Sequence, residues 1–412
     1  MRFLIIFFIC LFFTKGYAND MELSGIDISQ FNEEFKPQDD FYDYVNHNWL
    51  SKTEIPDDQI GWGSYMTLRE ESLQNQNILI NALIKNKDNL IASSEEEKIA
   101  NLYLSYTNRD LVNKLGSLPL SDDIEAIKNI KNKTDLWKYF SESEKKGMSS
   151  PIYFAVYDDL KDPLNYTIYF GQSGLGLPDR DYYLLDQPHY IKGREEYPIH
   201  LSNLFDLSGL DNANERASNA FDVETELAKI QISRTERRDP EKTYNPMNVN
   251  DLDAISNSNF NLWLKNLAIE SYDRYIIESP KYLEDLSNLI DEIPIDQWKD
   301  YLLARLVKSA SGSLSDDFVD ESYRFSSILT GREEMPALWK RSVGIVNGLL
   351  GDALGKIYVK NHFPPEYKQR MVELIDNLLE SFRIGIEDLE WMSEETKKRA
   401  LIKLEKLNVK IG

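Results

Sequence analysis

At 412 residues the chain is long enough for two or three packed units at ~150 residues each, and its 42% hydrophobic and 12% aromatic content excludes a disordered polypeptide. Its 69 Asp and Glu against 47 Lys and Arg give a net charge of −22, and no basic cluster offers the face that phosphate binding draws on, so nucleic acid is not an expected partner. The acidity itself fits solubility through self-repulsion.

The first expected element is a signal peptide over residues 1–18. Arg2 supplies the positive start, residues 3–13 form an unbroken apolar run, and Gly16-Tyr17-Ala18 places small residues at a cleavage site. The run is shorter than the ~20 apolar residues a membrane span needs, so a membrane is a partner only if the signal stays uncleaved. Export is expected, to a bacterial periplasm or the cell exterior. Cys10 is the only cysteine, so cleavage would leave none, and disulfides are excluded although export permits them.

Residues 19–60 read as a more irregular N-terminal segment, in which Asp39, Asp40 and Asn46 beside Tyr42, Tyr44 and Trp49 suggest a capped, aromatic-packed stretch. Helices dominate residues 61–412. The exception is 152–170, where alternating apolar residues, then Asp158-Asp159 and Asp162-Pro163, then Tyr166 to Phe170 give a strand, loop, strand pattern. After Pro294, Trp298, Leu302 and Leu306 recur at four-residue steps. After Pro364-Pro365 comes a helical face of Tyr367, Met371, Leu374, Ile375, Leu378, Phe382, Ile386 and Leu389. Ser393 should cap a last helix, with Glu394 and Glu395 in its first turn and Ala400, Leu401, Leu404 and Leu407 along one face. All these faces are expected to be core. The fold class is therefore mainly α with a small β-hairpin.

No catalytic constellation is complete. His47, His189, His200 and His362 are scattered, without the H-E-x-x-H spacing that puts two zinc ligands on one helix turn. Glu196, four residues before His200, suggests a surface ion pair rather than half a metal site. Ser173, in Gly171-Gln172-Ser173-Gly174, lacks the spacing of a nucleophile elbow and reads as a loop residue. The glycine-spotted residues 344–355 lack a phosphate-binding lysine.

Five dense strings stand out in order: P-Q-D-D-F-Y-D-Y-V-N-H-N-W at 37–49, G-W-G-S-Y-M-T-L-R-E-E at 61–71, L-G-L-P-D-R-D-Y-Y at 175–183, R-R-D-P-E-K-T-Y-N-P-M at 237–247 and W-M-S-E-E-T-K-K-R-A at 391–400. Each has a structural reading: a local ion pair holding the turn at Pro178-Asp179-Arg180-Asp181, for example, or Arg237, Arg238 and Asp239 ending a helix before Pro240. Together they resemble the N-terminal half of the neprilysin family (PepO-like) of zinc metalloendopeptidases, over about residues 25–412.

The resemblance implies a two-lobed enzyme in which a helical lid lobe encloses oligopeptides above a catalytic lobe. Residues 19–60 would then be a segment packing on the catalytic lobe, and residues 61–412 the lid, its last helix leading toward that lobe. Zinc is implied for the complete enzyme, but the family's zinc and catalytic positions lie beyond those matching Ile411-Gly412. No catalytic or metal residue is assigned here, and the chain is expected to be inactive alone, its catalytic lobe missing. Arg69 and the neighbouring Tyr65 fall on family positions lining a substrate pocket, which makes them the candidate substrate-binding residues; Arg69 pairing with Glu70, Glu71 or another acid is the structural alternative. Gly61 stands where some relatives carry an arginine for the substrate's terminal carboxylate, which implies internal cleavage. His47 replaces a usual glycine. The alternative function is a non-catalytic exported peptide-binding or scaffold protein.

Overall fold

The computed structural model describes residues 26–148, 150–255 and 258–412; the expected signal peptide at 1–18, with Cys10, lies outside the described residues. Residues up to Gly63 form one compact unit and Ser64–Gly412 a second, larger one.

In the first unit Asp40 caps helix α1 (Phe41–Leu50), accepting from the Asp43 amide at 2.9 Å. Asn48 Nδ2 donates to the Phe31 carbonyl at 2.8 Å, and the Asn32 amide donates to Tyr44 at 2.8 Å, tying the preceding turn to the helix. The stretch expected to be irregular thus contains a ten-residue helix. Its periodicity is hard to read because no residue of α1 is buried, so no clean apolar stripe marks it.

The second unit begins with α2 (Ser64–Lys85), α3 (Glu95–Thr107), α4 (Arg109–Leu115), α5 (Ser121–Lys128) and α6 (Lys133–Lys145), followed by strands β1 (Ile152–Asp159) and β2 (Asp162–Gln172). Then α7 (Asp181–Leu184), α8 (Pro188–Leu207), α9 (Ala213–Ile230) and α10 (Pro240–Thr243) lead to β3 (Asn245–Met247), and α11 (Val249–Ile255) and α12 (Ser258–Asn266) to β4 (Tyr275–Ile277). The remaining helices are α13 (Pro280–Glu292), α14 (Ile295–Ala310), α15 (Asp316–Thr330), α16 (Leu338–His362), α17 (Pro365–Asp388) and α18 (Glu394–Glu405). The fold is mainly helical, as expected. Side-chain oxygens of Ser94, Asn132, Ser279 and Ser393 cap α3, α6, α13 and α18.

The expected hairpin is present but is part of a larger sheet of order β1-β2-β4-β3, with β4 parallel to β2 and antiparallel to β3. The two added strands are three residues each, too short for an alternating pattern to declare itself, and Pro246 is confined to an edge strand.

One side of the main core is a lattice of edge-to-face rings. Trp137 meets Phe140 and Phe260, and Phe140 meets Trp298, each at 5.9 Å; Phe170 on β2 meets Trp263 at 5.5 Å. Trp298, Leu302 and Leu306 on α14 are buried as expected. A separate cluster of Ile80, Ile99, Tyr103, Val343, Val346 and Leu354 joins α2, α3 and α16. The glycine-spotted stretch at 344–355 lies within α16, where Leu350 leaves helical geometry (φ −132°, ψ 30°).

The expectation of a core face on the late helices fails. The apolar face of α17 is not core: no residue of α17 is buried, and Leu378 and Phe382 are 48% and 59% exposed. None of α18 is buried either, and Leu407 beyond it is exposed. These helices pack on each other, and one pair of helices cannot cover both apolar faces. Among the described residues no helix is long and apolar enough to cross a membrane.

Candidate functional site

Tyr65 and Arg69 sit one turn apart on α2, so both side chains share a face of the helix. The Ile80 end of α2 is locked into the cluster with α3 and α16, while Tyr65 at the other end is 88% exposed. Arg69 is exposed and makes no ion pair among the described residues. Its neighbour Glu70 is taken by Lys340 Nζ at 2.8 Å. The Arg69 guanidinium is thus exposed, with its neighbour Glu70 paired to another cation. At Gly61 a Cβ would meet nothing within 4 Å, so crowding does not dictate that glycine.

Behind the motif strings lies a buried polar hub. Glu224 on α9 is fully buried; it accepts from the Gly176 amide at 2.9 Å, from Tyr197 Oη at 3.0 Å and from Tyr183 Oη. Burial, followed by the Glu224 charge, pushes both phenols well above their ordinary range, so they stay protonated and donate. Arg305 donates to the Leu175 carbonyl at 2.9 Å and Tyr301 Oη to Gly174 at 2.9 Å. The L-G-L-P string is thus held by its backbone. A Cβ at Gly176 would lie 1.7 Å from Tyr197 Oη, which accounts for the glycine.

The expected His200–Glu196 surface pair is replaced by a buried network. His200 is 2% exposed and stacks on Phe325 at 4.5 Å, with Nδ1 2.8 Å from Glu321 on α15. Glu321 also accepts from Arg324 at 2.8 and 2.9 Å and from Asn203 at 3.1 Å, while Glu196 pairs with Arg324 at 2.9 Å. Burial lowers the His200 pKa against the opposing pull of Glu321. Local spacing pointed to Glu196; the true partner lies 121 residues away.

The other strings also resolve. Asp179 accepts from the Asp181 amide at 2.8 Å, an Asx turn, but its ion-pair partner is the distant Arg234 at 3.4 Å rather than a local arginine. Asp239 caps α10, accepting from the Glu241 amide at 3.0 Å, while Arg237 reaches Glu278 at 3.2 Å. Ser173 is a loop residue whose amide donates to Pro151 and whose carbonyl accepts from Gln231. Sequence reasoning missed Glu224, Tyr197 and Glu321, around which no recognisable motif stands.

Among the described residues no group of three or more His, Cys, Asp or Glu could hold a metal ion. His200 is spent on Glu321, His47 lies 3.3 Å from Asp43, and His189 and His362 lie against Tyr190 and Tyr358. These residues do not fit a zinc centre.

The helical architecture and its small sheet match those of solved metallopeptidases. The described chain aligns with the Mycobacterium tuberculosis zinc metalloprotease Zmp1, solved with an inhibitor, at 30% identity and a TM-score of 0.86, covering 93% of this chain and 58% of that one. The PepO structure from Lactobacillus rhamnosis, at 19% identity and a TM-score of 0.77, shares the fold over 90% of this chain and 59% of that one. Among curated relatives, the neutral endopeptidase of Lactobacillus helveticus is 28% identical over 94% of this chain and 60% of its own length. Human membrane metallo-endopeptidase-like 1 is 28% identical over 92% of this chain and 51% of its own. The family model described as Peptidase family M13 matches residues 37–412. The chain belongs to peptidase family M13, and it spans between half and three fifths of the length of these relatives.

Proposed function

We propose that this chain is the substrate-enclosing, N-terminal helical part of an exported zinc metalloendopeptidase that hydrolyses oligopeptides, with the zinc-bearing catalytic lobe supplied outside the described residues. The observation that carries the reading is the family match over residues 37–412 on a chain that covers only about half of its relatives. The uncovered apolar face of α17 is consistent with a further packing partner, since monomers rarely leave large contiguous apolar patches exposed.

In this reading the described residues bind and orient substrate. Tyr65 offers a ring for a peptide side chain to pack on, and Arg69 offers charge-assisted donors to its carbonyl or carboxylate oxygens. The hub around Glu224 keeps the loop at 175–183 rigid. Metal-assisted hydrolysis, with zinc lowering the pKa of a bound water, belongs to the complete enzyme.

The direct test is the coding sequence downstream of the Gly412 codon. An in-frame H-E-x-x-H is expected. An immediate stop codon would instead favour a non-catalytic, exported peptide-binding protein.

A further inference from the structure

Two strings given no chemical role by the sequence, at 175–183 and 237–247, meet at one cavity of about 170 Å³ in the second unit. Its walls are fixed. Gln172 Nε2 donates to the Ile232 carbonyl at 2.9 Å and its Oε1 accepts from the Ile232 amide at 2.8 Å, while Gln231 Nε2 donates to Ser173 at 2.8 Å. Both amides are thus occupied, and three guanidinium groups also line the cavity: Arg180, Arg234 and Arg237.

These arginines are under-paired compared with others in the protein. Arg324 and Arg383 bind carboxylates at 2.6 to 2.9 Å, several contacts each. Arg234 reaches Asp179 only at 3.4 Å, and Arg237 reaches Glu278 only at 3.2 and 3.4 Å. The buried Nε of Arg180 has no hydrogen-bond partner. Buried N–H donors are rarely left unsatisfied unless a ligand or water completes them. Three acids lie nearby: Asp179 accepts from the Asp181 amide and pairs loosely with Arg234, Glu236 accepts from the Ser233 amide and hydroxyl while also feeling the Arg180 charge, and Glu278 meets Arg237 through Oε1.

The geometry points to this cavity as a subsite for a carboxylate, specifically the acidic side chain of a bound peptide. A planar carboxylate matches the guanidinium fork, and the space is sized for a side-chain group rather than a folded segment. The net charge of −22 repels polyanions, so a single carboxylate captured at short range fits better than a multiply charged ligand. The inference rests on the peptide-enclosing reading above.

The test is titration calorimetry of the whole chain with two C-terminally amidated oligopeptides that differ only in carrying a single Glu or a single Gln at the same position, with inorganic phosphate as a third probe. The Glu peptide should bind about tenfold more tightly than the Gln peptide, against the repulsion of the chain's own charge. That gap should close in Arg180→Gln and in Arg234→Gln. Arg234 is 66% exposed and only loosely paired, so its variant keeps the fold and remains informative if Arg180→Gln does not. A Glu–Gln gap that survives both variants overturns the site while leaving the peptide reading intact. Phosphate binding abolished by the variants, with no Glu–Gln gap, overturns the peptide assignment of the cavity. Failure of both peptides to bind overturns the peptide-enclosing reading with it.

Discussion

The His200–Glu321 network shows how a single distant partner changes the meaning of a residue. A histidine beside an acid at helical spacing suggested a solvated pair, yet His200 is buried and held neutral by desolvation. For Glu321, burial raises the pKa, but the hydrogen bonds from His200, Arg324 and Asn203 outweigh it and leave the carboxyl at about 2. Both folded-state pKa values lie below their unfolded values, so both groups contribute stability that is lost toward acid. His200 begins to cost stability as the pH falls below about 6.5, where the unfolded imidazole takes up a proton that the folded one resists. Glu321 loses its contribution between about 4.5 and 2. Glu321→Gln should lower stability near neutral pH by about 1.5–3 kcal/mol and flatten the fall below pH 4.5, as read by urea midpoints across pH. An unchanged acid limb would show that the network does not set acid stability.

At the scale of elements, the sequence revealed what periodicity and punctuation carry. The β1–β2 hairpin, α14 with its buried Trp298 face, α17 after Pro364-Pro365 and the Ser393 cap of α18 were all readable. The three-residue strands β3 and β4 were not, because pairing across a long intervening stretch of chain leaves no local signal. The face of α17 was read as core because amphipathicity declares that a face will be covered without saying by what. Among the candidate residues, Tyr65 and Arg69 were placed by motif, whereas the cavity at Arg180 depends on contacts between residues over fifty apart. The exposure of α17 is testable: Phe382→Ser in the whole chain should change the unfolding free energy by no more than about 0.5 kcal/mol. A loss of about 3–5 kcal/mol, the range for a buried Phe, would show that the face is covered in solution.

For the whole molecule, the proposed peptide-enclosing role rests on family membership and on the surface chemistry of α2. Its peptidase relatives are roughly twice as long, α2 presents an aromatic ring and an unpaired guanidinium to solvent, and no described residues gather as a metal site. On the proposed reading the described residues capture an oligopeptide, and its hydrolysis belongs to the complete enzyme. The most direct measurement is the fluorescence anisotropy of a labelled oligopeptide, followed over time after adding the whole chain and zinc. The expected trace rises and stays level, and the rise is weakened by Arg69→Ala. A rise that decays to the free-peptide value or below as fragments form would place catalysis within this chain, and no rise at all would remove the substrate-enclosing role.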